Sequence, residues 1–165
     1  MDRYRRHVVG VMGGHAHNQD AMALAEAVGR RIAEEGWILL NGGRNQGVMA
    51  ASAKGCRDAG GFSVGIHPDP PGAGEEDIAP DLDLVIHTGM GYARNAINIL
   101  SSEAVIVLAG SYGTLSEVTY AQTYKVPTVL LGFDDKGFFH HIHRAKDVDE
   151  AIAMVRRILT DGATP

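Results

Sequence analysis

Residues 104–117 read AVIVLAGSYGTLSE and combine three structural signals. The stretch opens with an uninterrupted apolar run over residues 105–108, which is typical of a parallel strand buried on both faces. Gly110 and Gly113 come next, and glycine lets a backbone turn sharply and approach a ligand closely. The stretch therefore predicts a buried strand, a glycine turn and the start of a helix, in that order.

The start of this helix is predicted from the spacing of its polar residues. Thr114 and Glu117 stand three positions apart, as the two halves of a capping box do. Free backbone N–H groups and the positive end of the helix dipole converge at such a start. We therefore expect the turn at residues 110–114 to hold a phosphate. The apolar face of the helix should consist of Leu115, Val118 and Thr119.

Composition restricts the class of protein. With 165 residues, 45% of them hydrophobic, the chain is predicted to form a single domain over residues 1–165. Because 15 basic residues face 20 acidic ones, giving a net charge of −5, we expect no nucleic-acid partner. The first residues contain no apolar stretch of signal or membrane-spanning length, and Cys56 is the only cysteine. We expect a cytoplasmic protein without a membrane partner or internal disulfide, in which Cys56 is a buried, inert thiol.

Strand and helix patterns alternate along the chain. Short apolar runs predict strands at residues 8–12, 37–40, 62–66, 84–86, 105–108 and 128–131, with a last edge strand at 138–143. Amphipathic stretches between them predict helices, the last one capped by Asp147 and Glu150. This order predicts an α/β fold with a mostly parallel sheet and helices on both faces.

Two connecting segments carry predictions of their own. Residues 68–80 are rich in Pro and Gly and should form a surface loop without regular structure, either a lid or a long turn. The helix after residue 91 should bury one apolar face, formed by Ala93, Ala96, Ile97 and Leu100. Its polar residues then lie near its start and on other faces: Arg94, Asn95 and Asn98.

Glycine-bearing loops follow four of the predicted strands, at residues 13–18, 41–47, 88–95 and 109–114. Because the carboxyl ends of parallel strands meet at one rim of a sheet, we expect these loops to form one pocket. Common nucleotide fingerprints are absent. No G-x-G-x-x-G follows the first strand, Asn41 stands where a dinucleotide site has an acidic residue, and no G-K-[ST] occurs. NAD binding and P-loop chemistry are therefore not predicted.

Three motifs resemble a known family. Gly42-Gly43-Arg44, Arg94-Asn95 and the GSYGTLSE run at residues 110–117 resemble the Lonely Guy family, also filed as lysine-decarboxylase-like Rossmann proteins. The resemblance implies a single Rossmann-like domain and hydrolysis of N6-substituted adenosine monophosphates to the base and ribose 5-phosphate. It also implies a phosphate site at Gly110, Gly113 and Thr114. The catalytic residues, acting at the sugar, would be Arg94 and Glu117.

Three positions make the sequence more similar to a sister branch. The hydrolases typically carry proline and glycine where this chain has Ala109 and Ser111, and lysine where it has Asn95. Here the chain looks closer to the molybdenum cofactor carrier-like proteins, which bind a pterin phosphate. The resemblance implies an AMP-like nucleotide or molybdopterin as ligand, no required cofactor, and a homodimer or higher homo-oligomer built through the helices around Arg94 and Thr114. Amino-acid decarboxylation is not predicted, because no lysine lies in a recognisable pyridoxal phosphate setting.

The predicted ligand-binding set draws on all four glycine loops: Gly13, Gly14, Gly42, Gly43, Arg44, Arg94, Asn95, Gly110, Ser111, Tyr112, Gly113, Thr114 and Glu117. Some members have a second interpretation. Glu117 either only caps the helix or also acts beside a ribose. Arg94 is either a surface charge or a bidentate anion contact, and Arg44 is either a solvated loop charge or a second anion contact. Tyr112 either stacks on a heterocycle or packs on a neighbouring subunit.

Histidines form two clusters, for which metal binding is the less favoured interpretation and surface side chains the favoured one: His15 with His17, and His140 with His141 and His143. We therefore predict no metal site. Three functions compete. Binding of a phosphorylated heterocycle leads, and a nucleoside 5′-monophosphate phosphoribohydrolase comes second. Single-strand binding is third, because the DNA-processing protein A group shares this core, but the acidic balance opposes it.

Overall fold

The computed structural model describes residues 5–14, 19–140 and 142–161. Within them, strands and helices alternate as predicted. The strands are β1 (Val8–Met12), β2 (Ile38–Asn41), β3 (Phe62–His67), β4 (Leu84–His87), β5 (Ala104–Val107), β6 (Thr128–Leu130) and β7 (His143–Arg144). The helices are α1 (Gln19–Glu34), α2 (Gly47–Asp58), α3 (Asn95–Leu100), α4 (Tyr112–Thr123) and α5 (Val148–Asp161), with 3₁₀ turns at Glu75–Asp77 and Gly91–Arg94.

The strands form one sheet in the order β4-β3-β2-β1-β5-β6-β7, and every pairing is parallel. The chain moves outward from β1 to β4 and then returns to place β5 on the other side of β1. In the register, Gly10 lies opposite Leu40 of β2 and opposite Val105 of β5. The predicted Rossmann-like α/β fold is confirmed. The order of strands reverses between β1 and β5, where sheets of this type bind their ligands.

Successive side chains of β5 point to opposite faces of the sheet, and each face has its own hydrophobic core cluster. Ala104 and Ile106 pack in a cluster with α1, α2 and α5, whereas Val105 and Val107 pack in a cluster with α3 and α4. Successive strand residues point to opposite faces, so a strand buried on both faces needs the continuous apolar run seen here. Helices on both faces of the sheet are thereby confirmed.

Two predictions about single residues also hold. Cys56 is a fully buried free thiol, and burial raises its pKa to about 11. Asp147 caps α5, because its carboxylate accepts the N–H of Glu150 at 2.8 Å. No helix among the described residues is both long and apolar enough to cross a bilayer.

The segment at residues 68–80 is not the irregular loop that was predicted. It contains the 3₁₀ turn at Glu75–Asp77 and an antiparallel bridge between Ile78 and Arg44. The N–H of Ala79 donates to Gly43 O at 3.0 Å. The prediction failed because these partners lie far away in sequence, where local composition carries no information about them.

The predicted last edge strand is present as β7, but its predicted bounds at residues 138–143 are wrong. Only His143–Arg144 pair with β6. The preceding chain instead folds around Asp135, whose carboxylate accepts the N–H of Phe139 at 2.9 Å and the guanidinium of Arg144 at 2.8 Å. A buried carboxylate, rather than strand pairing, therefore organises this loop.

Helices α1 and α2 cross so closely that glycine is required at the contact. A Cβ added at Gly55 would lie 1.9 Å from Glu26 O, and one at Gly29 would lie 2.0 Å from Ser52 O. Both obstacles are backbone atoms of the facing helix, which cannot move without moving that helix. The crossing sets the position of α2, which begins at the rim formed by the carboxyl ends of the strands.

We expect the substitution G55A to destabilise the fold. Alanine normally favours a helix, but overpacking against backbone costs about 1–3 kcal/mol, and here the obstacle cannot rotate away. Urea unfolding should show the loss as a lower midpoint. R30A, at an exposed position of α1, is the control and should change the free energy of unfolding by less than about 0.5 kcal/mol. A midpoint in G55A equal to that of the wild type would contradict the close crossing.

Candidate functional site

A cleft of about 720 Å³ lies where the order of strands reverses, outside the carboxyl ends of β1, β2 and β5. Residues from all four glycine loops line it, so the structure brings these loops together. The lining residues are Val11, Met12, Gly13, Gly14, Gly42, Arg44, Gln46, Met49, Tyr92, Arg94, Asn95, Ser111, Tyr112, Gly113, Thr114, Ser116 and Glu117.

Helix α4 begins at Tyr112, three residues before the start that a cap at Thr114 predicts. Ser111 occupies the N-cap position in an extended conformation, and its side chain makes no capping hydrogen bond. Thr114 lies inside the first turn and cannot cap. The predicted capping box is therefore wrong, and Glu117 is turned instead toward Asn98 on α3.

Backbone N–H groups at the start of α4 have no protein acceptor. Within the described parts of the chain, the amides of residues 110–114 donate to no carbonyl or side chain, and the first bond of the helix runs from Leu115 N–H to Ser111 O at 2.9 Å. The Thr114 hydroxyl likewise has no partner there, although Thr114 is 2% exposed. Free amides at the positive end of a helix dipole form an anion-binding cradle.

The close backbone packing around this cradle requires glycine at two positions. A Cβ at Gly110 would lie 1.9 Å from Thr114 Oγ1, and one at Gly14 would lie 3.0 Å from Gly110 Cα. The Gly14 N–H donates to Ala109 O at 2.9 Å, which ties the loop after β1 to the loop after β5. Gly110 is exposed but is not among the residues that line the cleft, so it acts through its close contact with Thr114.

Gly43 is the second member of the predicted set that does not line the cleft. Its φ is +79°, a conformation that favours glycine, and a Cβ there would lie 3.3 Å from His67 N. Its N–H donates to the side chain of Asn41 at 2.9 Å. Gly43 therefore shapes the turn that presents Gly42 to the cleft.

Arg94 is a buried charge, so the interpretation as a surface side chain is wrong. It is 7% exposed and donates to Gly42 O at 3.0 Å and to the Asn95 side chain. Its Nη1 lies 3.8 Å from Glu117 Oε1, and its Nε is buried without a partner in the described structure. Burial lowers the pKa of the guanidinium below its usual value, although Glu117 opposes this.

Glu117 lies next to Arg94 and is 5% exposed. Burial raises the pKa of its carboxyl to about 7, against the hydrogen bond from Asn98 Nδ2 at 2.9 Å and the attraction of Arg94. The pKa values of Arg94 and Glu117 are thus both shifted so that the neutral form is favoured. Burial outweighs the electrostatic attraction between the two groups, which lie 3.8 Å apart. A carboxyl group with this pKa gains and loses a proton readily at neutral pH.

Two of the three buried residues of α3 are polar, and the third is Ile99. Asn95 and Asn98 are 2% and 0% exposed, whereas Leu100, predicted to be buried, is 54% exposed. The Asn95 side chain donates to Ser116 Oγ at 3.1 Å and to Gly113 O at 3.4 Å. Asn95 therefore ties α3 to the first turn of α4, beside the cradle.

Arg44 lines the cleft but is not a solvated charge. Its guanidinium is paired with Asp77 and lies 3.8 Å from Asp69 Oδ2. Gln46 Nε2 donates to the same Asp77 carboxylate at 2.9 Å. Residues 68–80 thus deliver the carboxylates that compensate Arg44 within the protein.

Two exposed tyrosines stand at the rim. Tyr92 and Tyr112 are 83% and 89% exposed, and a Cβ at Gly113 would lie 3.9 Å from Tyr92 Cε1.

The sequence prediction missed several lining residues. Gln46, Tyr92 and Ser116 lie within the loops and motif already identified, whereas three apolar ones have no signal that separates them from core: Val11, Met12 and Met49.

The predicted histidine clusters are only partly described. His15, His17 and His141 lie outside the described residues, while His140 is exposed and His143 is half-buried. Among the side chains that the structure does describe, no three His, Cys, Asp or Glu residues gather as a metal site requires.

The sheet order, the cleft beside its reversal and the uncapped start of α4 define a Rossmann-like α/β protein with one rim of glycine loops. The model of the SLOG cluster4 family matches residues 6–162, and the chain belongs to that family. The predicted membership of the Lonely Guy group, with its molybdenum cofactor carrier-like branch, is confirmed.

Three relatives illustrate the family. The molybdenum cofactor binding protein from Rippkaea orientalis superposes with a TM-score of 0.89 at 36% identity, covering 94% of this chain and 99% of that one. An uncharacterised protein from Archaeoglobus fulgidus is 43% identical over 75% of this chain and 83% of its own. A cytokinin riboside 5′-monophosphate phosphoribohydrolase from Mycobacterium tuberculosis is 38% identical over 68% of this chain, which spans only 63% of that enzyme.

The ionisation of Glu117 should make stability fall as the pH rises. Folded Glu117 keeps its proton up to about pH 7, whereas an unfolded glutamate loses its proton near about pH 4.3. Between these values the folded state binds more protons, so raising the pH from 5 to 8 costs the wild type up to about 3 kcal/mol relative to E117Q.

Urea unfolding of both proteins at several pH values measures this difference. The amide introduced by E117Q keeps the size of the side chain and an oxygen to accept the Asn98 bond but cannot ionise. If the difference in unfolding free energy between the two proteins stays constant from pH 5 to pH 8, Glu117 has an ordinary pKa.

Proposed function

We propose that this protein binds a phosphorylated heterocycle, a nucleotide or a molybdopterin-like compound, with its phosphate at the start of α4. The observation that carries the proposal is that the amides of residues 110–114 and the Thr114 hydroxyl have no protein partner in the described structure, and that residues 111–114 line a cleft. A phosphate has several strong acceptor oxygens and a negative charge, so it satisfies these donors and the helix dipole together.

The remaining cleft suits a heterocycle. Its volume of about 720 Å³ lies in the range of small-molecule sites, which combine apolar walls with a few polar groups. Met12 and Met49 supply apolar wall, and the exposed rings of Tyr92 and Tyr112 offer faces for stacking. Arg94 is the buried polar group available to orient the ligand beside its phosphate.

The comparisons favour binding as the leading function. The Rippkaea orientalis protein, named for binding the molybdenum cofactor, corresponds to this chain over 99% of its own length. The mycobacterial hydrolase corresponds over 63% of its length. The proposed ligand therefore includes pterin phosphates as well as nucleoside monophosphates, and binding requires no further cofactor.

Thermal unfolding with phosphorylated and unphosphorylated probes tests the phosphate site. We expect AMP and ribose 5-phosphate to raise the melting temperature and adenosine at the same concentration to leave it unchanged. Should all three probes act alike, the phosphate is not what the cradle recognises.

G113A is the matched variant for this binding test. Gly113 has no positive φ, and a methyl group there meets only Tyr92 Cε1 at 3.9 Å and Asn95 Nδ2 at 4.0 Å, so the variant should fold normally. The methyl group enters the cleft next to the free amides and should weaken AMP binding by about tenfold or more. T123V, at the exposed far end of α4, should bind as the wild type does. Wild-type affinity in G113A would place the phosphate elsewhere.

A second function, phosphoribohydrolase activity, is favoured by one specific observation. Glu117 combines burial beside the cradle with a pKa of about 7. In N-glycosidic hydrolysis, water adds to the anomeric carbon as the bond to the base breaks, giving the free base and ribose 5-phosphate. A carboxylate beside the sugar stabilises the developing oxocarbenium charge or orients the water.

Incubation with AMP and an N6-substituted AMP, followed by chromatography, tests this activity. Free base should appear with the wild type, and E117Q should lower its rate by about 100-fold or more while retaining AMP-induced stabilisation. Unchanged nucleotide in the presence of demonstrated binding would leave a binding protein and remove the enzyme.

A further inference from the structure

Asn98 makes the shortest contact to the Glu117 carboxylate among the described residues. Its Nδ2 donates to Glu117 Oε1 at 2.9 Å, whereas Arg94 Nη1 lies 3.8 Å from the same oxygen. Asn98 is fully buried, and its helix position is held through its main chain, where Ser102 Oγ donates to Asn98 O at 2.7 Å. The side chain thus reaches Glu117 from a fixed backbone.

The rest of the Asn98 amide is unengaged. Its Oδ1 is buried and accepts no hydrogen bond from any described residue. Buried amide oxygens are nearly always paired, so an orphaned one calls for an explanation. Because nothing holds Oδ1 in place, the amide group can turn over without losing another hydrogen bond.

A carboxyl group requires different hydrogen-bond partners in its two protonation states. The carboxylate only accepts hydrogen bonds, whereas the protonated acid carries an O–H that donates. An asparagine amide offers a donor on one side and an acceptor on the other. Asn98 therefore carries both the donor that the Glu117 carboxylate needs and the acceptor that the protonated acid needs.

We propose that Asn98 is the positioning residue of the site, holding Glu117 in both protonation states by donating Nδ2–H to the carboxylate and, after turning over, accepting its O–H at Oδ1. The proton leaves or enters Glu117 through the cleft, and the contact between the two side chains persists. Glu117 then keeps its orientation toward the ligand while its charge changes.

Arg94 does not perform this role. It is the charged group that acts on Glu117 within the described structure. Its guanidinium is already engaged by Gly42 O and the Asn95 side chain, and it has no acceptor to offer a protonated acid. Helix α4 itself carries Tyr112 and Tyr120, but neither contributes to the shift in the pKa of Glu117.

Nuclear magnetic resonance on the ligand-free protein tests the proposal directly. The Glu117 carboxyl carbon, assigned by its absence in E117Q, reports the protonation midpoint. Above this midpoint the Asn98 amide protons should show a strong nuclear Overhauser contact to the Glu117 Hγ protons, and below it the contact should disappear as Oδ1 takes their place. A contact of equal strength across the titration would overturn the proposal.

Asn98→Leu provides the second measurement. A hydrogen bond to an ionised group is about twice as strong as one between neutral groups, so losing both should raise the Glu117 midpoint by about 1 pH unit. S102A removes the bond to the Asn98 main chain and should leave the midpoint unchanged. An unaltered midpoint in Asn98→Leu would refute the role of Asn98, and if this variant does not fold, the wild-type contact still decides.

The role matters for ligands only if the proposed function is right, since it concerns how Glu117 faces the cleft. Its test needs no ligand. Failure of both AMP and ribose 5-phosphate to stabilise the protein would count against the proposed phosphate site and leave the Asn98 result standing. An amide that never turns over would remove only this inference.

Discussion

The site depends on one feature, the backbone amides at the start of α4. In the described structure these amides have no protein acceptor. The first N–H groups of a helix have no acceptor within that helix, so an uncapped helix start beside a cleft leaves these donors available to a ligand. The close approach of Gly14, Gly110 and Thr114 makes this arrangement possible, because any side chain at position 110 would collide with the threonine. The strand order then places it beside the reversal between β1 and β5.

The charged side chains around these amides are compensated before a ligand arrives. Arg44 is paired with Asp77. Arg94 lies near Glu117, and burial lowers the pKa of Arg94 and raises the pKa of Glu117, which favours the neutral form of each. Burial therefore makes proton exchange at Glu117 accessible near neutral pH. An exposed pair at the same distance would stay ionised and contribute little.

The fold could be predicted because its strands are buried on both faces. A run such as residues 105–108 has no polar alternative, and the order of strands and helices follows from such runs. The faces of α3 and α4 could not be predicted. Periodicity assigns apolar residues to the interior, yet Leu100 is exposed while Asn98 and Glu117 are buried. Residues 68–80 are held in place by contacts with Arg44, more than twenty positions away, and local composition cannot indicate such contacts.

These failures coincide with the site for a physical reason. A helix that buries polar residues gives up part of its hydrophobic stabilisation, and natural proteins accept this mainly where function requires it. In α3 and α4 the loss is limited by hydrogen bonds between the two helices, made by Asn95 and Asn98. Because Arg44 is paired with Asp77 and Arg94 is engaged by protein groups, the anion attraction in the proposed function comes from oriented amides rather than from net charge. A chain with a formal charge of −5 can therefore present an anion site, because the field at the start of α4 is local and fixed by the backbone.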